Sequence, residues 1–188
     1  MKNLWRNALI LALACALAAL SLGIVNELTA DIIAQRLREE LLQARRRVFV
    51  EAEEFEILSL PEEVLARVAE EYNVHILETL AAVGNGQQLG YIFRISTMGF
   101  AGRITIMVGV SSRDQRIVGV EVMEHEETPG LGSAITEPDF LDQFVAKPVG
   151  DPFRLGQDIQ AVTGATVSSR AVLEACLGAV RLFEEVKE

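Results

Sequence analysis

The sequence predicts an α+β protein: an N-terminal transmembrane helix and helical stalk, then an antiparallel sheet packed with helices. Three observations carry this. An uncharged apolar run opens the chain. Alternating strand segments in its middle are joined by links too short for crossover helices. A long apolar-periodic helix closes it.

Ala8 to Val25 is a run of 18 residues without a charge, the length at which a membrane-spanning helix is read. Lys2 and Arg6 precede it and favour a cytoplasmic N-terminus. Cleavage after Ala16-Leu17-Ala18 would cut inside the run, and too few apolar residues precede Cys15 for a lipidated signal. The segment therefore reads as a retained anchor. Leu28, Ile32, Leu37, Leu41 and Leu42 recur at near-helical spacing, which extends the helix outward as a stalk to about Arg47. The expected division is 1–26 as the span, 27–58 as the helical stalk and 59–188 as a folded domain on the outer face.

Ser59-Leu60-Pro61-Glu62-Glu63 reads as a capped helix start, with the helix ending near Tyr72 or Asn73. Val74 to Val83 and Leu89 to Ser96 form a hairpin around Gly84-Asn85-Gly86. In Arg103 to Val110, Ile104, Ile106, Val108 and Val110 supply one strongly apolar face. Val118, Val120 and Val122 repeat the alternation up to His125, completing an antiparallel meander. Thr136 introduces a short helix over 137–144, and Ile159 to Val162 is expected as a last strand. Val167 to Val186 is the closing helix, with Ala171, Val172, Ala175, Cys176, Ala179 and Phe183 on one face.

Charge divides the chain. Residues 1–50 hold 7 basic and 4 acidic residues, a net +3; residues 51–188 hold 10 and 23, a net −13. An acidic domain of this kind repels nucleic acid, whose phosphates need Lys and Arg. The two cysteines, Cys15 and Cys176, sit too far apart to pair, and His75 and His125 show no ligand spacing. No disulfide framework and no metal site are expected.

Two segments carry the chemistry. Thr163-Gly164-Ala165-Thr166-Val167-Ser168-Ser169 places small and hydroxylated residues directly ahead of the closing helix. Free N–H groups and the positive end of the helix dipole suit a phosphate there. A plain reading makes Thr166 an N-cap, but Thr163, Thr166, Ser168 and Ser169 are more hydroxyls than one cap requires. No Lys follows, so this is not a nucleotide-binding P-loop. The second segment is His125-Glu126-Glu127-Thr128-Pro129-Gly130-Leu131-Gly132. Pro129-Gly130 favours a type II turn, and glycines beside Thr128 and Leu131 suit close approach to a planar ligand. Glu126 and Glu127 lack a spaced nucleophile or second base, so no catalytic pair is expected. Gly99-Phe100-Ala101-Gly102 reads as a hairpin turn.

Taken together these segments resemble a known family. Thr163-Gly164-Ala165-Thr166 looks like the flavinylation motif of FMN-binding domains. The Thr128-Pro129-Gly130-Leu131-Gly132 loop, its order after one N-terminal span and the Gly-Phe-Ala-Gly hairpin, and the terminal helix resemble RnfG, the G component of the Rnf complex. The resemblance covers nearly the whole chain. It implies FMN joined covalently through its phosphate to the Thr166 hydroxyl by a separate flavin transferase. Thr163, Gly164, Ala165, Val167, Ser168, Thr128, Gly130 and Leu131 would line the flavin. The domain would relay electrons on the periplasmic or extracellular side of the cytoplasmic membrane. Its partners would be the membrane, iron–sulfur and flavin subunits of a complex coupling ferredoxin and NAD to Na⁺ or H⁺ movement. Family members often carry an acid three positions before the motif. Gln160 stands there in this chain, with Asp158 on the same side of an extended strand. Two other readings are NqrC, the C component of a Na⁺-translocating NADH:quinone reductase, and a membrane-anchored binding module without cofactor.

Overall fold

The computed structural model describes residues 2–187 and divides into two units, Met1–Leu42 and Gln43–Glu188. Helix α1 (Lys2–Val48) provides all of the first unit and enters the second. In the first unit Leu9, Leu13, Leu17, Leu20 and Ile24 are exposed, as the residues around them are. A window of mean hydropathy 2.7 makes this one helix long and apolar enough to cross a membrane. An apolar surface on every side of a helix calls for an apolar surrounding.

The helix stops at Val48, and residues up to 58 do not continue it. They belong to the second unit, where β1 (Glu54–Ile57) pairs antiparallel with β2 (Val74–Gly84). Four residues, Glu-Phe-Glu-Ile, are too few for an alternating pattern to stand out. Between these strands lies α2 (Glu62–Tyr72), closed by Asn73 in the left-handed region at φ 53°. Pro61 sits at its N-cap position and gives no side-chain hydrogen bond, so Ser59 is not the cap.

The sheet continues as the expected meander through β3 (Gln87–Met98), β4 (Arg103–Ser111) and β5 (Arg116–His125), in the order β1-β2-β3-β4-β5. Asn85 and Gly86 join β2 to β3 with φ of 51° and 70°. Two positive φ values are what a type I′ hairpin turn needs to match strand twist.

Helix α4 (Thr166–Lys187) covers one face, with α2 beside it. Tyr91, Phe93, Ile95, Ile106, Val108 and Val110 meet Cys176, Ala179 and Phe183 in this core. Burial pushes the Cys176 thiol strongly upward, so it stays protonated. We expect native protein to leave Cys176 unlabelled by iodoacetamide, with labelling appearing only in denaturant; mass spectrometry of the peptide checks this.

The alternation predicts one strongly apolar sheet face, yet β4 is buried on both faces. Ala44, Val48, Phe49 and Ala52 are buried, as are Ile92 and Met107, which alternate with the α4-facing residues. Glycines make this approach possible. A Cβ on Gly119 would strike the Val48 backbone, and one on Gly109 would lie 2.8 Å from Val48 Cγ1. Gly109 and Gly119 are direct cross-strand partners, so together they form a trough for Val48. Arg45 adds a 2.7 Å ion pair to Glu78, and Arg47 pairs with Glu121, which raises the Arg47 pKa mainly through their hydrogen bond. Exposed pairs of the second kind are worth less than about 1 kcal/mol; glycine-permitted packing is the larger restraint.

Two expected elements differ. In place of one helix over 137–144, a 3₁₀ turn (Gly132–Thr136) precedes a short α3 (Pro138–Leu141) with Glu137 at its N-cap. Thr136 does not cap it; its hydroxyl donates to Ser133 O. Residues 159–162 form no strand, only an isolated bridge between Leu155 and Ile159. The chain instead folds back on itself, with Asp158 and Ile159 N–H donating to Arg154 O. The segment that meets the β5 edge is 146–149 instead: Ile117 N–H donates to Lys147 O at 3.0 Å.

Candidate functional site

The site is built at one end of the sheet, where β3 ends, β4 begins and β5 ends. Its first part is the turn before α4. Ala165 N–H donates to Val162 O at 2.9 Å, closing a four-residue turn with Gly164 at φ 80°. That is the positive-φ position of a type II turn. Helix α4 then starts at Thr166, so Ala165 precedes it and Thr166 is its first residue rather than its cap. An alanine offers no side-chain acceptor, and the first N–H groups of a helix have no intrahelical partner.

The four hydroxyls of the segment fall into three environments. Ser169 is fully buried; its Oγ accepts from Val162 N–H at 3.0 Å and donates to Ala165 O at 2.9 Å. It therefore holds the turn onto the helix. Ser168 Oγ is buried without a hydrogen-bond partner. A buried hydroxyl in that state costs about 1–3 kcal/mol unless something satisfies it. Thr163 and Thr166 are both exposed, and the Thr166 hydroxyl is not committed to a cap. Val167 is exposed as well, while Ala165 is buried.

Arg170 is exposed and stands four residues after Thr166 on the same helix face. Helical side chains lean toward the N-terminus, so its charge adds to the positive helix end. Burial raises the Glu174 carboxyl, and Arg170 draws it partly back.

The second part is the loop after β5. Gly130 has φ 77° and open space around the position of a Cβ. Its N–H donates to Ser133 Oγ, while Leu131 and Ser133 N–H both donate to Thr128 O. Thr128 itself is exposed. Leu131 brings the two parts together: its Cδ1 would lie 2.8 Å from a Cβ on Gly164. Gly164 is thus required twice, by its φ and by Leu131. A left-handed residue other than glycine costs about 1–2 kcal/mol. We expect Gly164→Ala to displace Leu131 and lower the melting temperature, as thermal unfolding would read it.

The third part reads in sequence only as a turn. Glu127 is a buried carboxylate, 5% exposed. Its Oε1 accepts from Phe100 N–H at 2.7 Å and from Ala101 N–H at 3.3 Å. Its two oxygens fill the spaces where Gly99 and Gly132 lack a Cβ. Glu126 does the same more loosely for Gly102, accepting from Arg103 N–H at 3.4 Å. The signal that could have found it is an acid just ahead of Thr-Pro-Gly together with a Gly-x-x-Gly turn whose N–H groups need an acceptor.

The pre-motif positions do not behave as an acidic site. Gln160 N–H donates to Gln143 Oε1 at 2.7 Å, and Gln143 Nε2 donates to Gln160 O. Asp158 is not on a strand; its Oδ2 accepts from Arg154 N–H at 3.0 Å. A concavity of about 610 Å³ opens at the opposite end of the sheet, lined by Phe49, Gln87, Ser111, Arg116 and Val145. No motif residue lines it.

Comparison with known proteins agrees with this geometry. Residues 99–181 match the FMN-binding domain family, and residues 1–48 match the RnfG N-terminal region. The G component of the ion-translocating oxidoreductase complex of Methanosarcina acetivorans is 35% identical over 144 residues, 76% of this chain and 74% of that protein. The G component of the Na(+)-translocating ferredoxin:NAD(+) oxidoreductase complex of Acetobacterium woodii is 27% identical over 100% of this chain and 95% of its own length. Among solved structures, Shewanella oneidensis NqrC aligns with TM-score 0.50 and 24% identity over 74% of this chain and 73% of its own. The C component of the Na(+)-translocating NADH-quinone reductase of Parabacteroides distasonis aligns with TM-score 0.51 and 18% identity over 79% and 94%. These two share the fold. By the sequence matches, the chain belongs to the RnfG family, the G components of ion-translocating oxidoreductase complexes.

Proposed function

We propose that this chain is an electron-transfer subunit of a membrane-bound, ion-translocating ferredoxin:NAD oxidoreductase (Rnf) complex, carrying FMN on Thr166 through a phosphoester bond. The single observation that carries the attachment point is the exposed Thr166 at the first position of α4, with Ala165 leaving the helix N–H groups uncapped. The residues present fit FMN. Ser168 Oγ is an orphaned buried hydroxyl beside Thr166, Gly164 and Gly130 keep the backbone bare, and Leu131 and Val167 offer apolar contact. The flavin supplies the redox chemistry; the protein supplies attachment and orientation.

Each residue then has a task. Thr166 would contribute the ester oxygen to the FMN phosphate, its hydroxyl proton leaving with the group that a separate flavin transferase displaces from that phosphorus. The first-turn N–H groups and Arg170 offset the phosphodiester charge. Gly164 sets the turn, and Ser169 holds it to the helix. Thr163, Thr128, Gly130 and Leu131 would form the surface beside the attachment point, with Ala165 buried in the turn. Thr163 is exposed too, but it precedes the helix and lacks the adjacent run of uncapped N–H groups.

The division into residues 1–26 as the span, with the following helix leading to an acidic domain outside the membrane, also belongs to this reading. Lys2 and Arg6 ahead of the apolar run support a cytoplasmic N-terminus. Similarity to proteins named as G components of such complexes supports partnership with the other Rnf proteins. The test uses the complex purified through this chain. Reduced ferredoxin should bleach a visible flavin band that is missing from the Thr166→Ala complex. An identical bleach in both complexes would contradict the assignment.

A further inference from the structure

We propose that Glu127 is the positioning residue of this site: it locks the Gly99–Gly102 turn and the 128–132 loop into one rigid unit and so fixes Leu131 beside the attachment turn. The inference rests on the flavin reading of this site and adds to it the group that orients the ring.

The geometry is specific to this carboxylate. Glu127 is 5% exposed and none of its contacts is with a cationic side chain among the described residues. Its charge is met by backbone N–H groups of Phe100 and Ala101, at 2.7 and 3.3 Å. Hydrogen bonds to an ionised acceptor are roughly twice as strong as neutral ones. The carboxylate lies between Gly99 on one segment and Gly132 on the other, each lacking the Cβ that would collide with it. Two distant glycines thus make room for one side chain, and that side chain ties Phe100 and Ala101 to a residue 27 and 26 positions away in sequence.

What the tie controls is Leu131. This residue immediately precedes Gly132, is 48% exposed, and packs its Cδ1 over Gly164. Around it the 128–133 loop has only short-range hydrogen bonds of its own: N–H groups donate to Thr128 O and Ser133 Oγ, Ala134 N–H donates to Leu131 O, and the Thr136 hydroxyl donates to Ser133 O. The attachment turn has its own independent support in Val162, Ala165 and Ser169. Loss of Glu127 should therefore release the ring-facing loop and leave the attachment turn standing.

This separation defines the experiment. The full chain is produced with its flavin transferase in wild-type, Glu127→Ala, Glu127→Gln and Leu131→Ala forms. Intact mass reads flavin attachment, thermal melting reads the fold, and visible circular dichroism with flavin fluorescence anisotropy reads the ring. We expect attached FMN in all four. Glu127→Ala and Leu131→Ala should lose the induced visible dichroism and show lowered anisotropy. Glu127→Gln, which retains an acceptor oxygen of the same reach, should keep both signals. Should Glu127→Ala fail to fold, Glu127→Asp, with its carboxylate drawn back by one methylene, should show the same loss. A folded, flavin-bearing Glu127→Ala or Glu127→Asp protein with wild-type dichroism and anisotropy would overturn the positioning role, even if its melting temperature fell. A wild-type chain that acquires no FMN would instead overturn the flavin reading itself, and this inference with it.

Discussion

Thr166→Ala yields a protein with the wild-type fold and no covalent flavin. The side chain is exposed at the first position of α4 and caps nothing, so its removal breaks no protein contact. Alanine is also the best helix former, so the helix start is not weakened. The change in stability should stay within about 0.5 kcal/mol, as for ordinary surface substitutions. The change in flavin content should be complete, because the neighbouring hydroxyls are not substitutes. Ser169 is spent on Val162 and Ala165, Ser168 is buried, and Thr163 stands before the helix, away from its uncapped N–H groups. In-gel flavin fluorescence after denaturing electrophoresis, beside a thermal melt, separates the two effects. A fluorescent band of equal intensity in the variant would remove Thr166 from the account.

Gly119→Ala gives a large loss of stability for a single added methyl group. Its Cβ would meet the Val48 carbonyl oxygen, with Val48 Cα and C only 2.8 and 2.9 Å away. All three are backbone atoms, so no rotamer change relieves them. The end of α1 must lift from the sheet, exposing Met107, Ile92 and Phe49, which are buried there. Overpacking of this kind costs about 1–3 kcal/mol, and the backbone obstacle places Gly119 at the upper end. Gly150 is the control, because an added Cβ meets nothing within 4 Å. Urea unfolding of the detergent-solubilised chain should show a lowered midpoint for Gly119→Ala and an unchanged one for Gly150→Ala. Equal midpoints would show that Val48 does not rest in the glycine trough.

The contrast between these two positions shows what can be read from sequence. The meander is legible because Ile104, Ile106, Val108 and Val110 alternate and the hairpin carries Asn85-Gly86. The span and closing helix are legible from an uncharged run and a helical apolar period. Local pattern says nothing about what covers the second sheet face. Gly109 and Gly119 look like strand interruptions until Val48 is seen resting on them. For the same reason β1 escapes the pattern and residues 159–162 imitate a strand: four-residue segments are decided by which edge is free, and that is a tertiary fact.

The site divides in the same way. The hydroxyl-rich segment and the Thr-Pro-Gly-Leu-Gly loop are visible as motifs, and Leu131 over Gly164 brings them together. Which hydroxyl is structural is not visible. Ser169 takes that role because a helical fourth residue can reach back to Ala165 O and to Val162 N–H. Nor is the structural role of Glu127 visible. A carboxylate that serves backbone N–H groups on another turn leaves no spacing signature in the chain.

The most direct test of the central claim is mass spectrometry of the full chain produced with its native flavin transferase. The intact mass should exceed that of the sequence by FMN less one water, and fragmentation should place the whole increment on Thr166. An unmodified chain, or FMN located on Thr163 or Ser168, would contradict it.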